Sequence, residues 1–151
     1  MGDAIPIENY STLDKQKVLD VLNAAKLHIE DLTDGKMKNF LVARGKDDCI
    51  VGVVGVEIYQ ESGLLRSLAV HPAHRGKGIG SRLTHKIESF ARLNGIKTLY
   101  LLTLTAADFF SKIGYEVTQR DRVPESIGNT EEFKSLCPVS AVCLFKVLDS
   151  A

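Results

Sequence analysis

The N-terminal half of the chain alternates between one helical and several extended hydrophobic patterns. Ser11 and Asp14 form a helix-capping pair, and apolar residues then recur at helical spacing from Val18 to Ala25. A short strand that begins near Ala4 precedes this helix. Farther along, short polar joins separate apolar runs, which indicates an antiparallel meander of three strands. The three predicted strands are residues 40–44, 49–59 and 64–71.

After Pro72 the hydrophobic pattern changes from extended to helical. One apolar stripe from Ile79 to Ala91 predicts a helix over about residues 77–94, and Gly95 is a typical helix stop. A strand, a short helix and a further strand follow, and a polar tail leads to a last strand. These four elements are predicted at residues 98–103, 106–113, 115–119 and 140–147.

This order of elements predicts an α/β (α+β) fold with a central, mostly antiparallel sheet flanked by helices. The chain has 151 residues, the length of one ordinary domain, so we expect a single domain spanning residues 1–151. Its composition, 44% hydrophobic and 25% charged, is that of a globular protein. The chain should therefore bury a continuous core.

The charge balance narrows the choice of partners. Lys plus Arg number 19 and Asp plus Glu number 19, so no net positive field attracts a polyanion, and we expect no nucleic acid partner. No apolar run approaches the ~20 residues that span a bilayer, and the start lacks the pattern of a secretory signal. We therefore expect a cytoplasmic protein with no membrane partner. Cys49, Cys137 and Cys143 lack CxxC spacing, which favours reduced, buried thiols.

A glycine-rich segment, Arg75-Gly76-Lys77-Gly78-Ile79-Gly80-Ser81, lies between a predicted strand and a predicted helix. Glycines let the chain turn with its amides pointing outward, and the positive end of the helix makes such a turn an anion site. Arg75 and Lys77 would add charge for a diphosphate. The alternative is a glycine-rich turn with solvated cations. The spacing fits neither a P-loop nor a dinucleotide-binding fingerprint.

The same segment resembles the acetyl-CoA loop of the Gcn5-related N-acetyltransferase (GNAT) family, whose pattern is Arg or Gln, two residues, Gly, one residue, then Gly or Ala. Residues 68–72 resemble the fourth strand of that family, and residues 109–115 resemble a later family element. The resemblance implies a sheet splayed at its fourth and fifth strands, with acetyl-CoA as cosubstrate in the split. The implied cofactor-binding residues are Leu68, Ala69, Val70, Arg75, Gly76, Lys77, Gly78, Ile79, Gly80, Ser81 and Phe110.

The tail from Arg122 to Ala141 looks like that of the arsenic-resistance N-acetyltransferases, a subgroup similar to the amino-acid N-acetyltransferases. This resemblance implies transfer of acetyl to a small amine or amino-acid-like substrate, with arsenic or toxin resistance as a role. We expect no metal, since Pro72 keeps His71 and His74 off one regular helix. A homodimer is the assembly we consider.

Acetyl transfer to an amine needs a base for the ammonium proton and donors aimed at the thioester oxygen. The resemblance assigns the donor role to the backbone near Val70. Glu57, near the end of the third strand, is the candidate base, and a solvent-facing strand residue is the alternative. Ser67 lies beside the bulge that the resemblance implies. Its hydroxyl would hold the catalytic water or the amine, unless it simply fills the face of the sheet.

Two arginines are candidates for binding substrate. Arg66 stands among apolar strand residues and therefore needs an anion, either a substrate carboxylate or a structural partner such as Glu57 or Glu61. Both readings stay open at this point. Arg122, with its neighbour Arg120, would line the substrate entrance, and the alternative is that both are solvated.

Phe110 occupies the position where many GNAT members place a tyrosine as general acid. Because a phenyl ring cannot donate a proton, the leaving thiolate would take one from water or from Ser111, Thr105 or Tyr115. This departure supports an alternative function, a CoA-binding sensor or weakly active paralogue. A protein-directed acetyltransferase is a second alternative. The tail would wall the acceptor site, which favours small substrates.

Overall fold

The computed structural model describes residues 5–136 and 140–148, which contain seven strands and five α-helices. The strands are β1 (Ile7–Asn9), β2 (Phe40–Arg44), β3 (Ile50–Tyr59), β4 (Ser62–Val70), β5 (Thr98–Thr103), β6 (Glu116–Thr118) and β7 (Val142–Val147). The helices are α1 (Lys15–Ala24), α2 (Asp34–Met37), α3 (Ile79–Leu93), α4 (Ala107–Lys112) and α5 (Glu125–Gly128).

The strands form one sheet in the order β1-β2-β3-β4-β5-β7-β6. The pairs β1–β2, β2–β3, β5–β7 and β6–β7 are antiparallel, and β4–β5 is parallel. The parallel pairing joins only Ser62–Leu64 to Thr98–Tyr100, although both strands continue beyond these residues. The predicted α/β fold with a mostly antiparallel, splayed sheet is confirmed.

Most of the observed helices and strands lie close to their predicted bounds. The cap at the start of the first helix differs from the prediction. Ser11 caps a 3₁₀ turn, Thr12–Asp14, and accepts a hydrogen bond from the Leu13 N–H at 3.3 Å. Asp14 does not complete the predicted capping box, because its carboxylate is buried against the Arg44 guanidinium at 2.6 Å. A partly buried ion pair with β2 therefore takes the place of the predicted contribution of Asp14 to the cap. The predicted start of the first strand at Ala4 lies outside the described residues.

The chain divides into two compact units. The first unit comprises the described residues up to Val56 together with Ser67–Ile87, and the second comprises Glu57–Arg66 together with the described residues from Glu88 onward. That the whole chain forms one domain stays a prediction. Among the described residues, no helix is long and apolar enough to cross a membrane.

Each unit has its own apolar cluster. In the first unit, α1 packs its apolar stripe against β2 and β3, as its periodicity predicts. The buried residues there are Val18, Leu22, Met37, Phe40, Val42, Ile50, Val53 and Ala69. In the second unit, the tail packs on β4 and β7 through Leu64, Ile127, Phe133 and Cys143. Burial raises the pKa of the Cys143 thiol to about 11, which keeps this buried cysteine protonated.

Candidate active site

The glycine-rich loop lies in the first unit, between β4 and α3. Gly76 and Gly78 both have φ of +79°, a conformation that favours glycine, and a Cβ at either position would meet no atom within 4 Å. Among the described residues, the N–H groups of Gly76, Lys77 and Gly78 donate to no backbone carbonyl. The loop therefore has amides without a backbone acceptor, next to glycines with open space around them.

Helix α3 strengthens this site because it begins directly after the loop. Its first N–H groups have no intrahelical acceptor, and its aligned peptide dipoles make this end positive. The first helical hydrogen bond runs from the Arg82 N–H to the Gly78 carbonyl at 3.1 Å. Arg75 donates from Nε to the Val70 carbonyl at 3.1 Å, which ties the start of the loop to the end of β4. Arg75 and Lys77 are exposed, so both can face an anion.

Ser67 breaks the regular geometry of β4. Its φ of +60° is left-handed, although it has a side chain and lies within a strand, and it is only 7% exposed. Strained backbone of this kind persists where the surrounding structure enforces it. The bulge that the resemblance implies beside Ser67 stays a prediction. Beyond Ser67, Ala69 is buried while Leu68 and Val70 are half-buried.

A separate cavity in the first unit has a volume of about 380 Å³. His71 and His74 line it together with Cys49, Lys17 and Asp48, and its lining stops short of the glycine loop. Among the described residues, no three His, Cys, Asp or Glu side chains are arranged to share a metal ion.

The expectation that the cysteines are buried is wrong for Cys49, which is exposed after a 3₁₀ turn, and Cys137 lies outside the described residues.

The second unit holds a buried group of charged and polar side chains, which we call the Arg66 cluster: Glu57, Tyr59, Arg66 and Glu132. The Arg66 NH1 group donates to Glu57 Oε2 at 2.7 Å, and Arg66 NH2 lies 3.6 Å from Glu132 Oε1. The Tyr59 hydroxyl donates to Glu57 Oε1. The side chain of Arg66 is 0% exposed and that of Glu57 is 5% exposed, so water screens their ion pair little.

The elements explain how these side chains meet. Glu57 and Tyr59 are two residues apart on β3, so they lie on the same face of the sheet. Arg66 lies on β4, which follows the tight join after β3. Glu132 comes from the tail, where it is the first residue of a π-helical turn, Glu132–Leu136. The cluster thus combines one hairpin with a segment far along the chain.

The structure shows which charged groups lie near Arg66 and Glu57, and binding of a substrate carboxylate by Arg66 stays a prediction. Arg66 pairs with Glu57, whereas Glu61 pairs with Lys97 at exposed positions. The solvent-facing alternative for Glu57 is wrong, since this residue is 6% exposed. Sequence reasoning missed Tyr59 and Glu132. The two-residue spacing from Glu57 would have indicated Tyr59, but no local signal leads to Glu132.

Phe110 lies in α4 and is 4% exposed, with the rings of Phe109 and Tyr115 edge-on at centroid distances of 5.1 and 5.3 Å. The Tyr115 hydroxyl donates to Glu88 Oε2 at 2.8 Å. Burial, with the nearby Glu88 carboxylate, raises the pKa of Tyr115 well above its usual value. Lys146 Nζ lies 3.1 Å from both Glu88 oxygens. The Tyr115 hydroxyl is therefore part of a buried hydrogen-bond network with Glu88 and Lys146, which argues against Tyr115 as the general acid.

Arg122 and Arg120 lie in one 3₁₀ turn, Arg120–Arg122, and differ in their contacts. Arg122 is exposed. Arg120 donates from NH2 to the Phe133 carbonyl at 2.8 Å, and its guanidinium lies 5.7 Å from the centroid of the Phe133 ring. Arg120 therefore holds the tail near Glu132, and Arg122 is the one of the two that presents its side chain to solvent.

Curated relatives match just under half of the chain. An amino-acid acetyltransferase of Pseudomonas syringae pv. tomato is 42% identical over 74 residues, which are 49% of this chain and 17% of that protein. The enzyme of the same name from Pseudomonas fluorescens is 41% identical over 64 residues, 42% of this chain and 15% of that protein. The matched region thus spans about a sixth of the length of these relatives.

Solved structures with the same fold cover nearly the whole chain. N-acetylglutamate synthase from Neisseria gonorrhoeae, complexed with coenzyme A and N-acetyl-glutamate, has a TM-score of 0.85 at 18% identity, over 99% of this chain and 36% of that chain. Rv2747 from Mycobacterium tuberculosis, in complex with CoA and NLQ, has a TM-score of 0.81 at 20% identity, over 95% and 99% of the two chains.

The family comparison covers the glycine loop and the strands around it. The sequence model of the family described as "Acetyltransferase (GNAT) domain" matches residues 36–117, just over half of the chain. The chain therefore belongs to the GNAT acetyltransferase family.

Proposed function

We propose that this chain transfers acetyl from acetyl-CoA to the amine of a small amino acid or amino-acid-like molecule. The observation that carries the proposal is the glycine loop with its free amides at the start of α3. Such amides bind a diphosphate through several hydrogen bonds at once, and the helix dipole adds to their attraction. CoA contains a diphosphate of this kind.

The residues of the loop fit this ligand. The N–H groups from Gly76 to Ser81 would hold the diphosphate, and Arg75 and Lys77 would add positive charge. The extended backbone of Leu68, Ala69 and Val70 would pair with the pantetheine arm, and Phe110 would contact the cofactor near its sulfur. When bound, acetyl-CoA supplies an activated acetyl group as a thioester.

Glu57 is the base in this proposal. Tyr59 and Arg66 fix its carboxylate, and a fixed carboxylate can take a proton from an ammonium directly or through one water. Ser67, whose hydroxyl is positioned by left-handed backbone, is the candidate for holding that water or the amine. Preorganised groups of this kind accelerate a reaction because they pay no reorganisation cost when it occurs.

The amino-acid acceptor is supported by two observations. Relatives that match just under half of the chain are named amino-acid acetyltransferases, and a structural neighbour is a complex with coenzyme A and N-acetyl-glutamate. Arg66 would bind the acceptor's carboxylate, and the exposed Arg122 would attract it electrostatically. A role in arsenic or toxin resistance, a cytoplasmic location and a homodimer stay predictions.

A second function has a specific observation in its favour. Phe110 lacks a transferable proton, and the neighbouring Tyr115 hydroxyl is bound to Glu88. A chain that binds CoA without an efficient general acid would serve as a CoA sensor or a weakly active paralogue. A protein-directed acetyltransferase would instead need a peptide acceptor.

Titration calorimetry of the wild-type chain with CoA and, separately, with NAD tests the cofactor assignment. We expect saturable binding of CoA and none of NAD, because the loop spacing departs from the dinucleotide fingerprint. Binding of NAD, or of neither ligand, would contradict the proposal.

A further inference from the structure

The cavity in the first unit has the size and the lining of a small-molecule site. Its volume of about 380 Å³ lies within the usual range of ligand pockets. The buried residues Ile50 and Val51 contribute apolar surface to its wall, and charged and polar residues form the rest. All of them belong to the first unit and lie outside the glycine loop. The proposed acetyl-CoA site therefore leaves this cavity unassigned.

The charged residues of the lining carry more negative than positive charge. Three are the aspartates Asp20, Asp47 and Asp48, and one is a cation, Lys17. Lys17 is already engaged, because its Nζ donates to Asp48 Oδ2 at 3.0 Å and to the Asp48 carbonyl at 2.9 Å. Arg44, which is not part of the lining, donates to Asp48 Oδ1 at 2.6 Å. Lys17 and Asp48 thus satisfy each other.

Asp20 and Asp47 are the two carboxylates of the lining that have no cationic partner. Asp20 accepts a hydrogen bond at 2.9 Å from the neutral side-chain amide of Gln16. In the part of the chain that the structure describes, no Lys or Arg side chain lies within ion-pair distance of Asp20 or Asp47. The lining therefore combines unpaired negative charge with apolar surface, which favours a cation that has an apolar body.

The two imidazoles of the lining differ in how their nitrogens are used. His71 Nδ1 accepts from the Ala73 N–H at 3.1 Å. His74 Nδ1 is buried and, among the described residues, has no hydrogen-bond partner. Because buried polar atoms normally have one, this wall has hydrogen-bonding capacity that the described chain does not use.

We propose that this cavity binds a small organic cation, an ammonium compound with an apolar carbon body. The positive nitrogen lies near Asp20 and Asp47, and the carbon atoms contact the surface that Ile50 and Val51 provide. This site is separate from the glycine loop, and the inference does not depend on which amine accepts acetyl.

Cys49 reports on the cavity, because it is exposed and contributes to the lining. Its alkylation by the neutral reagent iodoacetamide is followed by peptide mass spectrometry in the presence of three probes of similar shape. The probes are choline, its neutral isostere with tert-butyl in place of trimethylammonium, and the anion of tert-butylacetic acid. Choline should slow alkylation of Cys49 saturably, and the other two should need at least ~10-fold higher concentrations. The choline nitrogen carries no hydrogen, so it is not an acceptor for N-acetylation.

Matched variants remove one charge each. Asp20→Asn and Asp47→Asn should each weaken protection by choline by ~3-fold, since a single exposed charge contributes little. Asn tolerates the left-handed backbone of Asp47, whose φ is +57°, so the turn is retained. Asp121→Asn removes an equal charge from an exposed position in the second unit and should leave the protection unchanged.

Equal protection by the three probes, stronger protection by the anion, or no protection by choline would overturn the inference. An equal loss in Asp121→Asn and Asp47→Asn would also overturn it and assign the effect to overall charge. In the wild-type chain, ~1 M salt should weaken protection by choline several-fold, and protection that ignores salt would contradict the proposed site.

Saturating CoA separates the two sites. Protection by choline should persist when CoA is bound, because the lining of the cavity stops short of the glycine loop. Loss of protection would place choline in the CoA site and overturn the inference.

Discussion

The glycine loop and the Arg66 cluster differ in how their polar groups are satisfied. The loop, in the first unit, uses backbone amides that no carbonyl satisfies, and Gly76 and Gly78 leave open space around them. The cluster, in the second unit, uses buried side chains that are already paired with one another. An open backbone site could take a ligand directly, whereas a ligand of the cluster would meet charges that already have partners. Substitutions should therefore affect ligand binding first in the loop and stability first in the cluster.

The largest effect should follow from Gly78→Asp. A carboxylate in the loop repels a diphosphate and fills the space through which it approaches, so CoA binding should weaken by at least ~1000-fold, about 4 kcal/mol. Gly95→Asp is the matched control, because Gly95 has φ of +81° and is equally open but lies after α3. Calorimetry should show normal CoA binding in the control. Equal loss in both folded variants would break the distinction between the two regions.

Arg66→Met should destabilise the fold by about 3 to 5 kcal/mol, since it leaves the carboxylates of Glu57 and Glu132 buried without their cation. Urea denaturation measures this change. Adding Glu132→Gln to Arg66→Met should recover part of the loss, because it removes one of the two carboxylates that contact Arg66. A loss below ~1 kcal/mol would mean that the cluster is far more hydrated than its burial indicates.

Glu57→Gln should lower kcat by ~100-fold, about 2.7 kcal/mol, while the KM for acetyl-CoA stays unchanged. The amide keeps the shape and the contact with Tyr59 but cannot accept the ammonium proton. Glu61→Gln, at an exposed position paired with Lys97, is the control and should leave kcat unaltered. A normal kcat in Glu57→Gln would remove Glu57 as the base.

Tyr115→Phe tests a second buried network in the second unit. We assign this network a role in stability and none in catalysis. Loss of its hydrogen bond to Glu88 should lower the free energy of unfolding by ~1 kcal/mol near neutral pH. The folded state raises the pKa of Tyr115, so this stabilisation is present below ~10, the unfolded pKa, and is lost as the pH rises above it.

Denaturation curves from pH 7 to 11 should show the stability difference between wild type and Tyr115→Phe shrinking above pH ~10. A difference that grows with pH would mean that the folded protein favours the tyrosinate, contrary to the network described.

The loop was predictable because its signals are local. Glycines at alternate positions, a strand before and an amphipathic helix after them predicted both the turn and the helix start, and residues 40–44 and 98–103 form strands at the predicted bounds. The pairing of Arg66 with Glu57 was one of the readings that the sequence left open, beside a pair with Glu61 and a substrate carboxylate.

Glu132 could not be predicted from the sequence. It reaches Arg66 through a π-helical turn that no spacing rule describes, held by Arg120 and Thr130. The same holds for Asp14. Its position predicted a helix cap, but its carboxylate forms an ion pair with Arg44 on a strand far along the chain. Long-range pairs between charged side chains depend on the tertiary fold, and local patterns do not encode them.

The most direct test of the account is acetyl transfer by the wild-type chain. Purified protein is mixed with acetyl-CoA and a panel of amino acids, their decarboxylated amines and lysine-containing peptides, while released thiol is measured and products are identified by mass spectrometry. We predict thiol release that depends on the acceptor, with N-acetylated amino acid as the main product. CoA binding without thiol release, or acetylation of the peptides alone, would contradict the account.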